Sequence, residues 1–233
     1  MLVRITNCCR MGCSHCMIDS HPDGEHMAME NFAKSLDLIR RIDLSVIMIS
    51  GGEPLEHPEF FEFAELAKKH IEVVLLLTNG MFTEDKELTK RVLDLDLMVQ
   101  ITNDQRYYPK RVPKINHPNV SYETHVRVIT PLGRASDEPT TKQAPMCYNL
   151  RSLACSKKNL QASILLLRSF EKFCTPSISV DGSVVAGESP FCGKIGTVDS
   201  SDNELAEALM NMECNRCGLE DRLSPIHREA IGL

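Results

Sequence analysis

Long apolar runs and an excess of basic residues are both missing from this sequence. No stretch reaches the roughly 18 to 20 apolar residues that cross a bilayer, and the N-terminus lacks the basic region and apolar run of a signal peptide. We therefore predict a cytoplasmic protein with no membrane partner. The formal net charge of −6 at pH 7 gives the whole chain no electrostatic attraction to nucleic acid, so no nucleic-acid partner is expected.

Cysteine, in contrast, is abundant: the chain has ten among 233 residues. In a reducing compartment such thiols indicate metal binding or catalysis rather than disulfides. The missing signal sequence and the adjacent Cys8-Cys9 pair also argue against a secreted disulfide protein. The cysteines form an N-terminal, a middle and a C-terminal group, namely Cys8, Cys9, Cys13 and Cys16; Cys147 and Cys155; and Cys174, Cys192, Cys214 and Cys217.

Strand and helix patterns alternate through the first half of the chain, and 42% hydrophobic residues suffice to bury a large core. The apolar spacing predicts strands over residues 2–6, 44–50, 73–77, 95–101 and 120–129, and helices over 29–42, 57–71 and 83–93, the last capped by Thr83. Such alternation requires parallel strands and right-handed crossovers. We predict an α/β fold, a partial (β/α) barrel of about five to six parallel strands. The basic and aromatic stretch 105–114 is interpreted as a solvated connection, with a substrate contact as the alternative.

The second half is predicted to be a linker region followed by a small cysteine-rich α+β domain. The proposed boundaries are 1–135, 136–170 and 171–233. Two short apolar runs around Asp181-Gly182 predict a β-hairpin over 177–185. Asp202 is expected to cap a short helix that runs to Met212, and a final helix is expected from residue 225. Residues 160–167 fit a helix or a strand equally well.

Two motifs follow the first two strands. Cys9, Cys13 and Cys16 have the spacing C-x3-C-x2-C, and their soft thiolates favour zinc, copper(I) or an iron–sulfur cluster. In a four-iron cluster, three ligands leave one iron open. The second strand ends in Gly51-Gly52-Glu53-Pro54, where two glycines permit close ligand approach and the carboxylate can pair with an ammonium group. Both motifs lie at carboxyl ends of strands, where ligand sites of such folds occur.

With Thr78-Asn79-Gly80 and the stretch 131–135, these motifs make residues 1–135 resemble the radical S-adenosylmethionine (SAM) superfamily. The resemblance implies that a [4Fe-4S] cluster is held by Cys9, Cys13 and Cys16, with SAM on its open iron. The resemblance also implies contacts to SAM for its amino group at Gly51, Gly52 and Glu53 and for its ribose at Asn103 and Asp104. Arg134 is implied either as a contact to the SAM carboxylate or as a residue that supports such a contact. His15, which stands where an aromatic residue usually precedes the last cysteine, is implied to pack on the adenine. Asn103, Asp104 and Arg134 also fit ordinary loop caps.

The C-terminal cysteines Cys174, Cys192, Cys214 and Cys217 could close a four-thiolate site, and spacing alone leaves zinc and a second cluster open. This part resembles the Twitch and SPASM domains of radical SAM enzymes, which bind an auxiliary [4Fe-4S] cluster, although Cys192 comes later after the turn than usual. Cys147 and Cys155 are interpreted as small buried residues or as substitutes within the quartet. The role of Cys8 is left open.

The resemblance implies an enzyme that reductively cleaves SAM to a 5′-deoxyadenosyl radical and abstracts hydrogen from a substrate, with flavodoxin or ferredoxin as reductant. A peptide is the expected substrate, and a small molecule or nucleoside is the alternative. Because the chain begins with its first strand, we expect a separate partner protein to bind any leader peptide. A non-catalytic zinc or iron–sulfur protein would explain the cysteines but not Gly51-Gly52-Glu53.

Overall fold

The computed structural model describes residues 1–126, 133–137, 176–187 and 193–211. Its strands are β1 (Leu2–Thr6), β2 (Val46–Gly51), β3 (Val73–Thr78), β4 (Met98–Thr102), β5 (Val120–Glu123), β6 (Ser177–Ile178), β7 (Ser183–Val185) and β8 (Lys194–Thr197). Its helices are α1 (Met29–Arg41), α2 (Phe60–His70), α3 (Lys86–Asp94) and α4 (Asp202–Asn211). Short 3₁₀ turns lie at Pro54–Glu56, Met81–Glu84 and Gly133–Asp137.

Within the described residues, the eight strands form one sheet, in the order β5-β4-β3-β2-β1-β6-β7-β8. From β5 to β6 each strand is parallel to its neighbour, whereas β7 and β8 are antiparallel additions. The parallel part contains six strands, which confirms the predicted partial barrel. The C-terminal cysteines, Cys147, Cys155, the undecided stretch 160–167 and the expected last helix lie outside the described residues.

The core lies between the sheet and the helices that cover it. Val3 and Ile5 of β1 and Ile47 and Ile49 of β2 have no exposed surface. On the helical side, the rings of Phe32 (α1) and Phe63 (α2) pack with centroids 4.4 Å apart. Strands that are apolar on both faces are typical of parallel sheets covered by helices. The polar residues of this region therefore lie at the strand ends.

The expected cap of the third helix is wrong. The carboxylate of Asp85, not the hydroxyl of Thr83, accepts from the first free helical amides, those of Glu87 (2.9 Å) and Leu88 (3.0 Å). Thr83 instead donates to the carbonyl of Gly80 at 2.9 Å, because it lies in the preceding 3₁₀ turn. The N-cap is the residue directly before the first helical residue. Because α3 begins at Lys86, later than predicted, that residue is Asp85.

Two further boundaries differ from the prediction. Ser201, not Asp202, caps α4: its hydroxyl accepts from the amide of Glu204 at 3.3 Å, and the Glu204 carboxylate accepts from the Ser201 amide at 2.7 Å. This reciprocal pair is a capping box. Strand β4 starts at Met98 rather than at residue 95, because Asp96 adopts a left-handed turn with φ 51°. Strand β5 ends at Glu123, and predicted residues 127–129 lie outside the described part.

The predicted hairpin is present and also extends the barrel sheet. β6 pairs antiparallel with β7 around Gly182, whose φ of 79° suits glycine at this turn. On its other side β6 lies parallel to β1, and the guanidinium of Arg4 donates to the Ser177 hydroxyl at 2.7 Å. The hairpin therefore shares its sheet with the strands that carry the cysteine loop. The domain boundaries at 135 and 171 stay predictions.

Candidate active site

The loops that follow β1, β2 and β3 meet around a cavity of about 350 Å³ at the carboxyl ends of the strands. Its lining includes Cys9, Cys13, His15, Cys16, Gly51, Gly52, Tyr108 and Arg134. The sheet order explains this convergence, because β1, β2 and β3 are adjacent and parallel. Motifs that are far apart in sequence therefore end at one edge of the sheet.

The cysteine loop is held in place from several sides. The amide of Cys9 donates to the His21 carbonyl at 2.9 Å, and the amide of Ser14 donates to the Tyr107 carbonyl at 3.0 Å. Arg134 donates from Nε to the Cys13 carbonyl at 3.0 Å and from Nη1 to the Asp19 carboxylate at 2.9 Å. Since Arg134 also lines the cavity, it both supports the loop and faces the site.

Gly133 explains how closely the Arg134 turn approaches the loop. Its φ is 57°, and a Cβ at this position would lie 2.7 Å from the carbonyl oxygen of Cys16. The amide of Arg134 donates to that same carbonyl at 3.0 Å. Glycine at 133 is therefore required for the turn to close against the cysteine loop.

Burial sets the protonation of the cysteine thiols. It raises the pKa of Cys9 to about 11 and the pKa of Cys13 to about 12. In the absence of a bound metal ion both side chains are therefore neutral thiols at pH 7, and metal binding must displace their protons. Cys16 is partly exposed at the cavity wall.

The arrangement of the three cysteines fits a cluster. Within the described residues, no three His, Cys, Asp or Glu side chains converge as ligands of a single ion. In a four-iron cluster each thiolate binds a different iron, so three thiols spread around one cavity suit that larger group. Asn79 Nδ2 approaches Cys9 Sγ at 3.7 Å and adds a polar contact to that sulfur.

At Gly51 and Gly52 the end of β2 packs closely against the start of the cysteine loop. The amide of Gly52 donates to the Thr6 carbonyl at 2.7 Å. A Cβ on Gly51 would lie 2.1 Å from the oxygen of Thr6, and a Cβ on Gly52 would lie 2.3 Å from the oxygen of Cys8. Since real Cβ atoms do not approach backbone oxygens this closely, only glycine fits both positions.

Glu53 is buried behind this turn, with 2% of its surface exposed. Its carboxylate accepts from the hydroxyl of Thr78 and from the amide of Asn79, both at 2.8 Å. Burial raises the pKa of Glu53 to about 7. Glu53 thus joins the end of β2 to the end of β3, and its predicted contact with the amino group of SAM stays a prediction. The sequence singled out Thr78-Asn79-Gly80, but not as the partner of Glu53.

His15 lies in an aromatic cluster at the cavity. Its ring centroid is 5.0 Å from that of Tyr107 and 5.1 Å from that of Tyr108. Tyr108 lines the cavity, and burial raises the pKa of its phenol. The stretch 105–114 is therefore only partly a solvated connection, because Tyr108 forms part of the wall. The tyrosines of this stretch are the feature of the sequence that could have indicated its place at the cavity.

Asn103 and Asp104 lie beside this cavity and line a neighbouring one. Asn103 donates to the carbonyl of Lys110 at 3.1 Å, and Asp104 pairs with Arg106. That guanidinium holds the pKa of Asp104 well below its usual range. Both side chains serve as the loop caps considered from sequence, and their contact with the SAM ribose stays a prediction.

Cys8 lies outside the cavity. Its thiol donates to the carbonyl of Pro22 at 3.1 Å and to the carboxylate of Glu56 at 3.3 Å. Cys8 is therefore not among the cysteines that line the cavity. These contacts also make Cys8 a suitable control in mutagenesis of the predicted ligands.

The radical SAM superfamily model matches residues 3–141. The chain belongs to the radical SAM superfamily. Among curated relatives, the antilisterial bacteriocin subtilosin biosynthesis protein AlbA of Bacillus subtilis is 33% identical over 89 residues, covering 37% of this chain and 20% of AlbA. Mycofactocin maturase MftC of Mycobacterium tuberculosis is 28% identical over 101 residues, covering 43% of this chain and 26% of MftC.

The fold of this radical SAM chain is also found in solved structures. A crystal structure of BtrN in complex with AdoMet and 2-DOIA matches with a TM-score of 0.56 at 15% identity, covering 98% of this chain and 88% of that chain. Such a likeness shows the fold alone. The matches to AlbA and MftC span about a quarter or less of those relatives.

Membership of the superfamily makes this chain an enzyme whose cofactors are SAM and a SAM-binding [4Fe-4S] cluster. It thereby sets aside the non-catalytic alternative. The three cavity-lining cysteines and the glycine turn fit that pair of cofactors. In the described part of the chain, no helix has both the length and the apolar character needed to span a membrane.

Proposed function

We propose that this radical SAM enzyme modifies a peptide, with Cys9, Cys13 and Cys16 as the ligands of its SAM-binding cluster. The observation that carries the ligand assignment is that these three cysteines line one cavity with Gly51 and Gly52. Two relatives are named as a bacteriocin biosynthesis protein and a maturase, which supports a peptide substrate. A small molecule or nucleoside is the competing substrate class.

Cys9, Cys13 and Cys16 would hold the cluster, which together with SAM and one electron from flavodoxin or ferredoxin would supply the radical chemistry that removes a hydrogen atom from the substrate. The chain itself positions the reactants and excludes water. Arg134 fixes the cysteine loop and presents its charge to the cavity, while the backbone at Gly51 and Gly52 permits close approach. His15 and Tyr108 offer aromatic surface for the adenine.

The proposal includes a second [4Fe-4S] cluster held by Cys174, Cys192, Cys214 and Cys217, with zinc as the alternative metal. These cysteines lie outside the described residues. Four thiolates complete the coordination of either metal centre. The β6–β7 hairpin between Cys174 and Cys192 supports the proposal, since a hairpin of this kind belongs to the resemblance on which the assignment rests.

Anaerobic reconstitution tests the cofactor content. The proposal predicts about eight irons and about eight sulfides per chain, together with release of 5′-deoxyadenosine from SAM under a strong reductant. About four irons with one zinc would support the first cluster and would show that zinc takes the place of the second. Two zincs without SAM cleavage would contradict the proposal that these cysteines hold iron–sulfur clusters.

Cysteine variants separate the two sites. The Cys9→Ala, Cys13→Ala and Cys16→Ala triple variant should release no 5′-deoxyadenosine while keeping about four irons. Replacing Cys214 and Cys217 should remove the other cluster. The control Cys8→Ser should retain SAM cleavage, because its thiol bonds to Pro22 and Glu56 outside the cavity. SAM cleavage by the triple variant, or its loss in Cys8→Ser, would show that the wrong cysteines were assigned.

Substrate class is tested with short peptides encoded beside the gene. A peptide substrate should raise 5′-deoxyadenosine release above the rate without substrate and should change mass in the same reaction. Either flavodoxin or ferredoxin should replace the chemical reductant. If only small molecules or nucleosides raise the release, the peptide proposal fails while the radical SAM assignment stands.

A further inference from the structure

A second cavity lies next to the cysteine-lined one. Its volume is about 790 Å³, and it is lined by the β4–β5 connection, by Tyr122 of β5 and by residues that follow β5. Ligand pockets in proteins typically measure about 300–1,000 Å³, so this cavity can hold several side chains of a bound molecule. None of the roles assigned above explains its size or its charge.

The lining of this second cavity is positively charged. Its lining includes the cations Arg106, Arg111 and Lys114, the imidazole of His125 and a single carboxylate, that of Asp104. Asp104 is already paired with Arg106. Among ion pairs within residues 1–126, none involves Arg111 or Lys114. On a chain of net charge −6, two such cations in one concave site create a local attraction for anions.

The two cations sit on a segment that is fixed at both ends. At one end, Asn103 donates to the Lys110 carbonyl at 3.1 Å. At the other, the Tyr122 hydroxyl accepts from the Ile115 amide at 2.7 Å and donates to the Ile115 carbonyl at 3.2 Å. Because β5 and the end of β4 thus hold residues 110–115, Arg111 and Lys114 are presented to the cavity by ordered backbone.

Lys114 is further positioned by an aromatic ring. Its ammonium lies 5.6 Å from the centroid of Tyr122, within the range of a cation–π contact. Tyr122 and the buried Val112 supply apolar surface to the same cavity. A ligand that combines carboxylates with aliphatic carbon would meet both kinds of surface.

One loop separates the two cavities. Thr102 and Tyr108 line the cysteine-lined cavity, and Asn103 to Arg106 line the second. The stretch 102–108 therefore contributes to both cavities, which places them side by side along one loop. A peptide residue held at the cysteine side would have its neighbours at the cationic side.

We propose that the second cavity binds an acidic segment of the peptide substrate through Arg111 and Lys114. The inference rests on the proposed peptide-modifying function. It adds the chemistry by which the substrate is selected: glutamate or aspartate side chains near the modified residue. Exposed cations of this kind act on affinity and encounter rate, and salt weakens their effect.

Calorimetry on the reconstituted full chain tests the inference, with capped hexaglutamate as probe and capped hexaglutamine as its uncharged match. Hexaglutamate should bind, and hexaglutamine should bind at least about tenfold more weakly, a difference of about 1.4 kcal/mol. Raising the salt concentration from about 50 to about 300 mM should weaken hexaglutamate binding several-fold.

Matched charge variants locate the binding. Arg111→Gln with Lys114→Gln should weaken hexaglutamate at least about tenfold, whereas Lys86→Gln with Lys90→Gln, which removes the same charge from α3, should change it less than about twofold. Equal losses in both double variants would overturn the inference, because they would show attraction to net charge alone. Inorganic phosphate that displaces hexaglutamate at lower concentration would overturn it in favour of a phosphate site.

SAM cleavage separates this inference from the proposed function. The Arg111→Gln, Lys114→Gln variant should release 5′-deoxyadenosine like the unaltered chain in the absence of peptide. Unaltered SAM cleavage together with unaltered hexaglutamate affinity in this variant would refute the cationic site and leave the proposed function standing. If the unaltered chain modifies no peptide, the proposed function is refuted, whether or not hexaglutamate binds.

Discussion

Single buried polar residues hold the loops around the site, and His57 shows how. It is 3% exposed; its Nε2 donates to the Met27 carbonyl at 3.0 Å, and its Nδ1 accepts from the Glu59 amide at 3.0 Å. This pattern requires the neutral ring with its proton on Nε2. Burial lowers the pKa of His57, and the neighbouring His26 ring, 5.0 Å away, acts in the same direction.

His57→Leu should reveal this role through pH. Near pH 7.5 it should lower the free energy of unfolding by about 1–3 kcal/mol, because the Met27 carbonyl and the Glu59 amide lose their partner. The folded state disfavours protonation of His57, so its stabilisation is present above the ordinary histidine pKa of about 6.5 and is lost as pH falls through the lower folded pKa. The difference between the proteins should therefore shrink at about pH 5.

Urea unfolding at both pH values measures the effect. The control is His70→Gln, at the exposed end of α2, which should change the free energy of unfolding by less than about 1 kcal/mol at either pH. A His57→Leu cost that is the same at pH 7.5 and pH 5 would contradict the assigned role of the ring.

At the scale of elements, the site depends on how closely the loop after β1 meets the end of β2. Gly52→Ala should cost at least about 3 kcal/mol of unfolding free energy, since its Cβ would lie 2.3 Å from a backbone oxygen that cannot rotate away. Gly12→Ala on the same loop meets nothing within 4 Å and should cost about 1–2 kcal/mol for its left-handed backbone alone. Similar costs for both would mean that the close approach is not rigid.

Elements also show which features the sequence could predict. The buried strands were predictable because apolar runs bounded by turn residues have few other structures. Choosing between Thr83 and Asp85 as a cap was not, since both residues can cap and only the left-handed turn at Gly80 decides it. Tyr108 was missed because its loop is set by contacts with distant residues, such as that between Ser14 and Tyr107.

For the whole molecule, β1 occupies an inner position, with β2 on one side and β6 on the other. The Arg4–Ser177 hydrogen bond spans 173 residues of sequence, so no local pattern could predict that the hairpin would join the barrel sheet. The sequence did predict the cysteine loop and the glycine turn of the site. Each is a short motif whose residues lie close together in the chain.

Hydrogen exchange should follow this sheet order. The amides of β1 and β2, paired on both sides, should exchange at least about tenfold more slowly than those of β8, at the sheet's end. Mass spectrometry of peptides covering Leu2–Thr6 and Lys194–Thr197 measures the difference. Equal exchange in the two peptides would mean that the sheet opens as one unit.

The loop between the two cavities has a thermodynamic consequence. Asn103 to Arg106 face the cationic side, while Tyr108, a few residues on, faces the cysteine side and contacts the ring of His15. Any ligand that shifts this loop from one side changes the free energy of binding on the other. Linkage is reciprocal, so the factor by which the first ligand alters affinity for the second equals the factor in the opposite direction.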